Sequence, residues 1–257
     1  MQTNSTAPLA TDADLSAYEQ IFSAFADDML AVNTLILNHM ESSVPLVKQV
    51  ATYLIAGGGK RIRPLLTLGL ADICGETNEN THKLAAAVEF IHTATLLHDD
   101  VVDDSHERRG KASANESFGN QTPVLVGDFL FSRAFQLMVG TQNLEALRIL
   151  SDASALIAEG EVLQLSILGK LDVERNTYFK VLEGKTAILF AAACASGALS
   201  AGATQERIDA AHTFGLNLGM VFQIIDDLID YTQDSTKTGK ARGDDFREGK
   251  ITLPVFI

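Results

Sequence analysis

Residues 82–103 read HKLAAAVEFIHTATLLHDDVVD, and this stretch decides the fold. Its apolar residues recur at three- and four-residue steps, without proline and without strand-like alternation, which is the pattern of a helix. The same period runs outward in both directions. Leu15, Tyr18, Ile21, Phe22, Phe25, Met29 and Val32 mark a first amphipathic helix, and Pro45–Ile55 a second that ends at Gly57-Gly58-Gly59. Pro64 suits the first turn of the next helix, which runs to Cys74, because its missing N–H would be unpaired there anyway. Further helical patterns cover Pro123–Gly140, Leu144–Leu168, Val173–Gly202 and Glu206–Tyr231. The expected fold class is all-α, a bundle of long helices. No linker, low-complexity tract or fixed-period repeat divides residues 1–257, so a single domain is expected.

Composition narrows the function. The chain has 257 residues, 46% of them hydrophobic, and 20 Lys plus Arg against 33 Asp plus Glu, a net charge of −13. That balance argues against a nucleic-acid partner, which needs an extended positive field. Cys74 and Cys194 lie in apolar runs without metal-type spacing, so both read as core thiols. Residues 1–15 carry no basic residue and no apolar stretch, so the expected location is cytoplasmic. The uncharged run Ala187–Ala203 is short and small-sided, better suited to a buried helix than to a transmembrane segment. The chain stops at Leu253-Pro254-Val255-Phe256-Ile257, where a proline and an apolar run should open another helix. The expectation is that C-terminal helices of the domain are missing.

Chemistry enters at LLHDDVVDDSHERRG (96–110). Asp99 and Asp103 are four apart and share one helical face, where like charges repel. Two readings are open: an acidic solvated helix end, or a carboxylate pair relieved by a hard cation. Magnesium fits the second better than calcium, since two monodentate carboxylates leave room for water and phosphate oxygens. FQIIDDLIDY (222–231) repeats the spacing at Asp226 and Asp230, with Asp227 alongside and Gln223 one turn earlier. Both copies end segments too apolar for a surface helix. Two facing pairs could hold metals around a diphosphate, whose leaving-group charge such metals stabilise.

Cations cluster near these motifs: Lys60, Arg61 and Arg63 before and around Pro64, then Arg108-Arg109, Lys185 after Gly184, Lys240 and Lys250. Lys60 and Arg63 are expected in the first turn of a helix, where free N–H groups already favour anions. Arginines can fork two hydrogen bonds to phosphate. Any one of these cations alone is better explained as a surface ion pair; their joint placement is not. Gly184-Lys185-Thr186 is no P-loop, because the required earlier glycine is replaced by Phe179. His92 lies two turns before Asp99 on nearly the same face, and a lone histidine there is more often a satisfied core residue than a ligand contact. His98 adjoins Asp99 and points elsewhere.

Taken in order, GGGKRIRP, FIHTATLLHDDVVDDSHERRGKASAN, VGDFLFSRAFQ, AEGEVLQL, GKTA, FQIIDDLIDY and EGKITLP resemble the all-trans polyprenyl diphosphate synthases, most nearly the octaprenyl-forming bacterial ones. The resemblance covers nearly the whole chain. It implies a helical bundle around a central cavity, a homodimer, and head-to-tail prenyl transfer for quinone side chains. It implies an allylic diphosphate, farnesyl diphosphate by preference, held through magnesium by Asp99 and Asp103 on one wall and Asp226 on the other, with Asp100, Asp227 and Asp230 in support. Isopentenyl diphosphate would be held by Lys60, Arg63, His92 and Arg109. Arg108, Lys185, Thr186, Gln223, Lys240 and Lys250 would contact the allylic diphosphate, and Lys185, Thr186 and Gln223 would also face the developing cation. The apolar product would pass to a membrane.

Ala94 and Thr95, one turn before Asp99, are small where short-chain synthases carry an aromatic, so a product longer than farnesyl is expected. Phe131, Phe135 and Met138 are candidates for a deeper floor or for ordinary core. Alternatives stay open. A shorter-chain, geranylgeranyl-forming synthase is one. An all-α metal-dependent phosphohydrolase using His98-Asp99 is another. A terpene cyclase and a non-catalytic partner subunit are two more, although the cyclase would depart at the second motif and the subunit would have lost aspartates or cations.

Overall fold

The computed structural model describes residues 16–56, 59–108, 110–232 and 243–256. Helices make up nearly all of it: α1 Ala17–Ala24, α2 Ala26–His39, α3 Pro45–Ala56, α4 Ile62–Cys74, α5 Glu79–Val102, α6 Ala114–Phe118, α7 Gln121–Gly140, α8 Leu144–Ile167, α9 Arg175–Leu182, α10 Ile188–Ser200, α11 Gln205–Thr232 and α12 Asp244–Arg247. The strands described form one hairpin, Glu107–Arg108 against Lys111–Ala112, with Glu107 opposite Ala112. The all-α reading stands.

Helix α10, ILFAAACASGALS, sits at the centre and packs against α4, α5, α8 and α11. From Ile188 to Ala198 every residue is buried. Such a helix can have neighbours on all sides only if its surface is thin, and alanine and glycine make it so. A Cβ on Gly197 would lie 2.1 Å from the Thr67 carbonyl oxygen of α4, and one on Gly215 of α11 would lie 2.5 Å from the Phe190 carbonyl oxygen. The segment Arg175–Ser200 is apolar and long enough to cross a membrane, yet 83% of its most apolar window is buried inside the protein. One continuous apolar cluster runs from Met29 through α5, α7 and α8 to Ala193.

Several sequence expectations need correction. The first helix is two, α1 and α2, bent by 75°. Phe25 ends one and opens the other, and packs against the core. The long Val173–Gly202 pattern is interrupted by a π-helical stretch, Glu183–Ala187, between α9 and α10. The hairpin and α6 lie between α5 and α7. Lys60 does not lie in the first turn of α4: Arg61 caps it with a left-handed φ of 50° and Lys60 precedes the turn. Cys194 is buried as expected, but Cys74 is half-exposed. The segment around Pro254 forms a 3-10 turn, Leu253–Phe256. Gly57, Gly58 and residues 1–15 lie outside the described residues.

Gly197→Ala is expected to lower stability by roughly 1–3 kcal/mol, because backbone cannot yield as a side chain can. Gly140→Ala, at the end of α7 with nothing within 4 Å of the added carbon, should be neutral or slightly stabilising through helix propensity. Urea melts of the two variants measure the contrast.

Candidate active site

The two acidic motifs end the two long helices α5 and α11, and each divides its carboxylates between two jobs. On α5, Asp99 and Asp103 are half-buried and meet lysines. Lys185 Nζ lies 4.0 Å from Asp99 Oδ2, and Lys250 Nζ donates to Asp103 Oδ2 at 2.9 Å. Between them, Asp100 is only 2% exposed and is gripped by Arg108, whose Nε donates to both carboxylate oxygens at 2.8 and 2.9 Å. On α11, Asp226 is exposed and Asp230 half-buried, while Asp227 is 4% exposed and bonded on both oxygens. Tyr178 Oη donates to its Oδ2 at 2.7 Å and Gln223 Nε2 to its Oδ1 at 2.8 Å. The middle aspartate of each motif is thus a packing element.

Lys185 and Thr186 reach the site from the π-helical stretch. The stretch lies at a close crossing: a Cβ on Gly160 of α8 would lie 2.6 Å from the Lys185 backbone nitrogen, and Gly184 faces Gly160 from the other side. Extra residues in a helical turn often mark functional sites. Here they turn Lys185 onto Glu161 Oε2 at 2.7 Å and Gln164 Oε1 at 2.9 Å. Thr186 Oγ1 donates to Gln223 Oε1 at 3.0 Å. Lys185, Thr186, Gln223, Asp226, Asp227 and Lys250 line one cavity together with Gln164, Tyr178 and Asp245.

The chain beyond α11 folds back over this cavity. The Gly243 N–H donates to the Asp230 carbonyl at 3.0 Å, and the Asp245 N–H to Asp230 Oδ2 at 3.3 Å. The Gly169 N–H donates to the Gly249 carbonyl at 2.9 Å. Lys250 follows and bridges Asp103 to Glu248. Burial alone would lower the Lys250 ammonium, but its bonds to Glu248 and Asp103 hold it above its ordinary value. In this way a residue next to the second motif neutralises a carboxylate of the first.

The residues expected to hold isopentenyl diphosphate are less closely gathered. His92 lines a second cavity with Arg61, Glu89, Asp100 and Arg108. Arg61 pairs with buried Glu89. Arg63 stacks its guanidinium over Phe190 at 4.4 Å, and its buried Nε finds no protein acceptor. Burial brings that guanidinium down to about 10, opposed by Glu89. Lys60 is exposed, and its backbone carbonyl accepts from Tyr18 Oη at 2.7 Å. Arg108 lines the cavity of His92 and not that of Lys185, because the buried Asp100 carboxylate captures it. Arg109 and Lys240 lie outside the described residues.

His98 turns away from Asp99, toward the Val124 carbonyl at 3.1 Å and Asp128 at 3.6 Å, and stacks on Phe131. A His-Asp hydrolase pair has no geometry here. Ala94 is fully buried and Met138 is core, Phe135 is 43% exposed, and Thr95 is the half-buried member of the pair before Asp99. Sequence reasoning gave no role to Glu161, Gln164, Tyr178 or Asp245. Glu161 and Gln164, three apart in LIAEGEVLQL with Glu159 beside them, were the available signal for the first two; nothing local marked the others.

The donor set suits a hard divalent cation, since it is entirely carboxylate oxygen. Among the described residues no three such groups converge on one point, so oxygens from a bound diphosphate would have to complete the coordination.

Burial raises the Asp99 carboxyl from 3.8 to about 7, with Lys185 opposing and Glu161 and Asp103 adding to the rise. A folded value above the unfolded one means that the native state holds a proton the unfolded chain releases. Without metal, stability should therefore fall as pH rises from about 4 to about 7, at no more than ~1.4 kcal/mol per pH unit for this group. Asp99→Asn should flatten that decline and melt higher than the parent at pH 8 in a chelator-containing thermal melt.

The comparisons with known proteins agree with this arrangement. Residues 44–257 match the model of the polyprenyl synthetase family. The chain is 48% identical over 238 residues to the octaprenyl diphosphate synthase of Escherichia coli K12, covering 93% of this chain and 74% of that protein. It is 45% identical over 239 residues to an all-trans-nonaprenyl-diphosphate synthase (geranyl-diphosphate specific) of Rhodobacter capsulatus, covering 93% and 73%. Among solved structures, the polyprenyl synthase of Caulobacter crescentus CB15, complexed with calcium and isoprenyl diphosphate, superposes with a TM-score of 0.89 at 51% identity, covering 93% of this chain and 73% of that one. Two acidic helix ends facing a lysine-bridged cleft, on a bundle shared with these synthases, place the chain in the polyprenyl synthetase family, as a trans-prenyltransferase.

Proposed function

We propose that this trans-prenyltransferase condenses isopentenyl diphosphate with farnesyl diphosphate to make octaprenyl diphosphate for quinone side chains. The observation that carries the reading is the pairing of Lys185 and Lys250 with Asp99 and Asp103 across the cleft that Asp226 also lines. The relatives' products support a chain longer than farnesyl, and so does the small size of Thr95, one turn before Asp99.

Magnesium would be held by Asp99 and Asp103 on α5 and by Asp226 and Asp230 on α11, and when bound it supplies positive charge against the departing diphosphate. Lys185 and Lys250 hold the same ground by hydrogen bonding and Lys240 adds a donor, whereas Arg108, held by Asp100 beside His92, and Arg109 serve the isopentenyl diphosphate. In the transfer, the allylic C–O bond breaks with its electron pair leaving on the diphosphate. The isopentenyl double bond forms the new C–C bond, and the departing diphosphate takes the proton. Lys60, Arg63 and His92 orient the isopentenyl group; the unpaired Nε of Arg63 supports that role. Thr186 and Gln223 turn oxygen atoms toward the cation from the wall of the cleft, where oriented dipoles act strongly.

We place the enzyme in the cytoplasm, as a homodimer that delivers its product to a membrane. Leu125 and Val139 on α7 and Val162 and Leu165 on α8 are each about 60% exposed or more, an apolar surface of the kind that a second copy covers. Sedimentation velocity should show a dimer, and Leu125→Glu with Val162→Glu should shift it to monomer.

The direct test is incubation with magnesium, labelled isopentenyl diphosphate and farnesyl diphosphate, resolving product length. Octaprenyl diphosphate should form, and Asp99→Ala should abolish it. Thr95→Phe should shorten the product. Absence of elongation from farnesyl, geranyl and geranylgeranyl primers by the folded protein would overturn the reading.

A further inference from the structure

Three hydrogen bonds form a chain, two of them between elements distant in sequence and one within α11. Tyr178 Oη of α9 donates to Asp227 Oδ2 at 2.7 Å, Gln223 Nε2 donates to Asp227 Oδ1 at 2.8 Å, and Thr186 Oγ1 donates to Gln223 Oε1 at 3.0 Å. An ionised carboxylate only accepts, and a side-chain amide has one accepting and one donating end. Asp227 therefore fixes which way the Gln223 amide faces: its NH2 group toward Asp227, its carbonyl toward Thr186. A reversed amide would set two donors against each other at Thr186 unless the hydroxyl also turned, and would leave Asp227 Oδ1 without a donor. It would also present N–H groups, the positive end of the dipole, to the cavity.

What holds Asp227 is not on its own helix. Gln223 is one turn back along α11 and shares whatever motion Asp227 makes. The fixed point is Tyr178, 2% exposed, with its ring against Phe179 and Phe256 at centroid distances of 5.2 and 5.6 Å. Buried aromatic rings of this kind have little rotational freedom, so the hydroxyl is delivered to one place. We propose that Tyr178 is a positioning residue for prenyl transfer: by clamping Asp227 it sets the Gln223 amide so that the carbonyl oxygen, backed by Thr186, faces the developing allylic cation. The inference rests on the role given to Gln223 and Thr186 under Proposed function. Tyr178 itself acts through Asp227 and touches no reacting atom in this scheme.

Tyr178→Phe removes one oxygen and keeps the ring. A purely structural tyrosine would lose activity only in proportion to folded protein. A positioning one should lower kcat about 10- to 100-fold, with both KM values within about a factor of two because ground-state binding is untouched. Thermal melts confirm that the variant is folded at the assay temperature. In the metal-free, substrate-free protein, the Gln223 side-chain amide resonance should shift or broaden in Tyr178→Phe, a readout that does not depend on turnover. In a Gln223→Leu background, Tyr178→Phe should have no further effect on kcat.

An unchanged kcat in folded Tyr178→Phe overturns the proposal, as does a loss of the same size when Gln223 is already Leu. A Gln223 amide resonance that does not respond overturns it too. Should Tyr178→Phe not fold, Asp227→Asn carries the same test, with the same kcat loss and amide shift expected and an unaltered amide counting against the clamp. Full activity in Gln223→Leu alone would instead refute the role assigned to Gln223, and so is distinguishable from failure of the Tyr178 clamp.

Discussion

The structure depends on a helix with no solvent face. α10 must touch α4, α5, α8 and α11 at once, and the distance at which it does so sets how far apart the two acidic helix ends stand. Small side chains make the approach possible: Gly197 against the Thr67 carbonyl, Gly215 against the backbone of α10, and Gly219 against Ala187 just before it. Close packing leaves such contacts no slack. The same device recurs at Gly160 and Gly184, beside the π-helical stretch that carries Lys185 and Thr186. The backbone crossings come first, and the site is built on what they leave.

A second constraint is charge. Asp99, Asp103, Asp226, Asp230 and Glu161 crowd one cleft in a chain with a net charge of −13. Without metal, the cleft relies on Lys185 and Lys250, each shared between two acidic residues. Asp100 and Asp227 escape the crowding by facing inward to Arg108 and Tyr178. Each motif thus separates into residues that carry charge into the cleft and one that anchors the helix end, so the apparent redundancy of adjacent aspartates disappears. Lys250 adds a further link, since it ties the segment after α11 to the end of α5.

Much of this was legible in sequence where the signal is local and periodic. The boundaries of α4, α5, α7, α8 and α11 fall within a few residues of the apolar patterns, because burial of one stripe per helix imprints its period. The four outward carboxylates, Lys185, Thr186, Gln223 and Lys250 were all identifiable, and the structure brings Lys185, Thr186, Gln223, Asp226 and Lys250 around one cavity. The bend at Phe25 was not legible: the apolar pattern continues through it, and only packing tells one helix from two. The left-handed Arg61 was equally silent, since nothing in arginine marks a positive φ. It is what removes Lys60 from the helix.

The sequence by itself determined the helical class, the repeated acidic motif and the family, because each is written in spacing along one chain. Only the tertiary structure decided which aspartate of each pair faces the cleft, which partner each cation chooses, and that Tyr178 belongs to the site. Those outcomes turn on helix rotation and on which buried carboxylate a donor reaches first. Such facts involve residues tens of positions apart, which meet only when the helices around α10 have closed to contact distance.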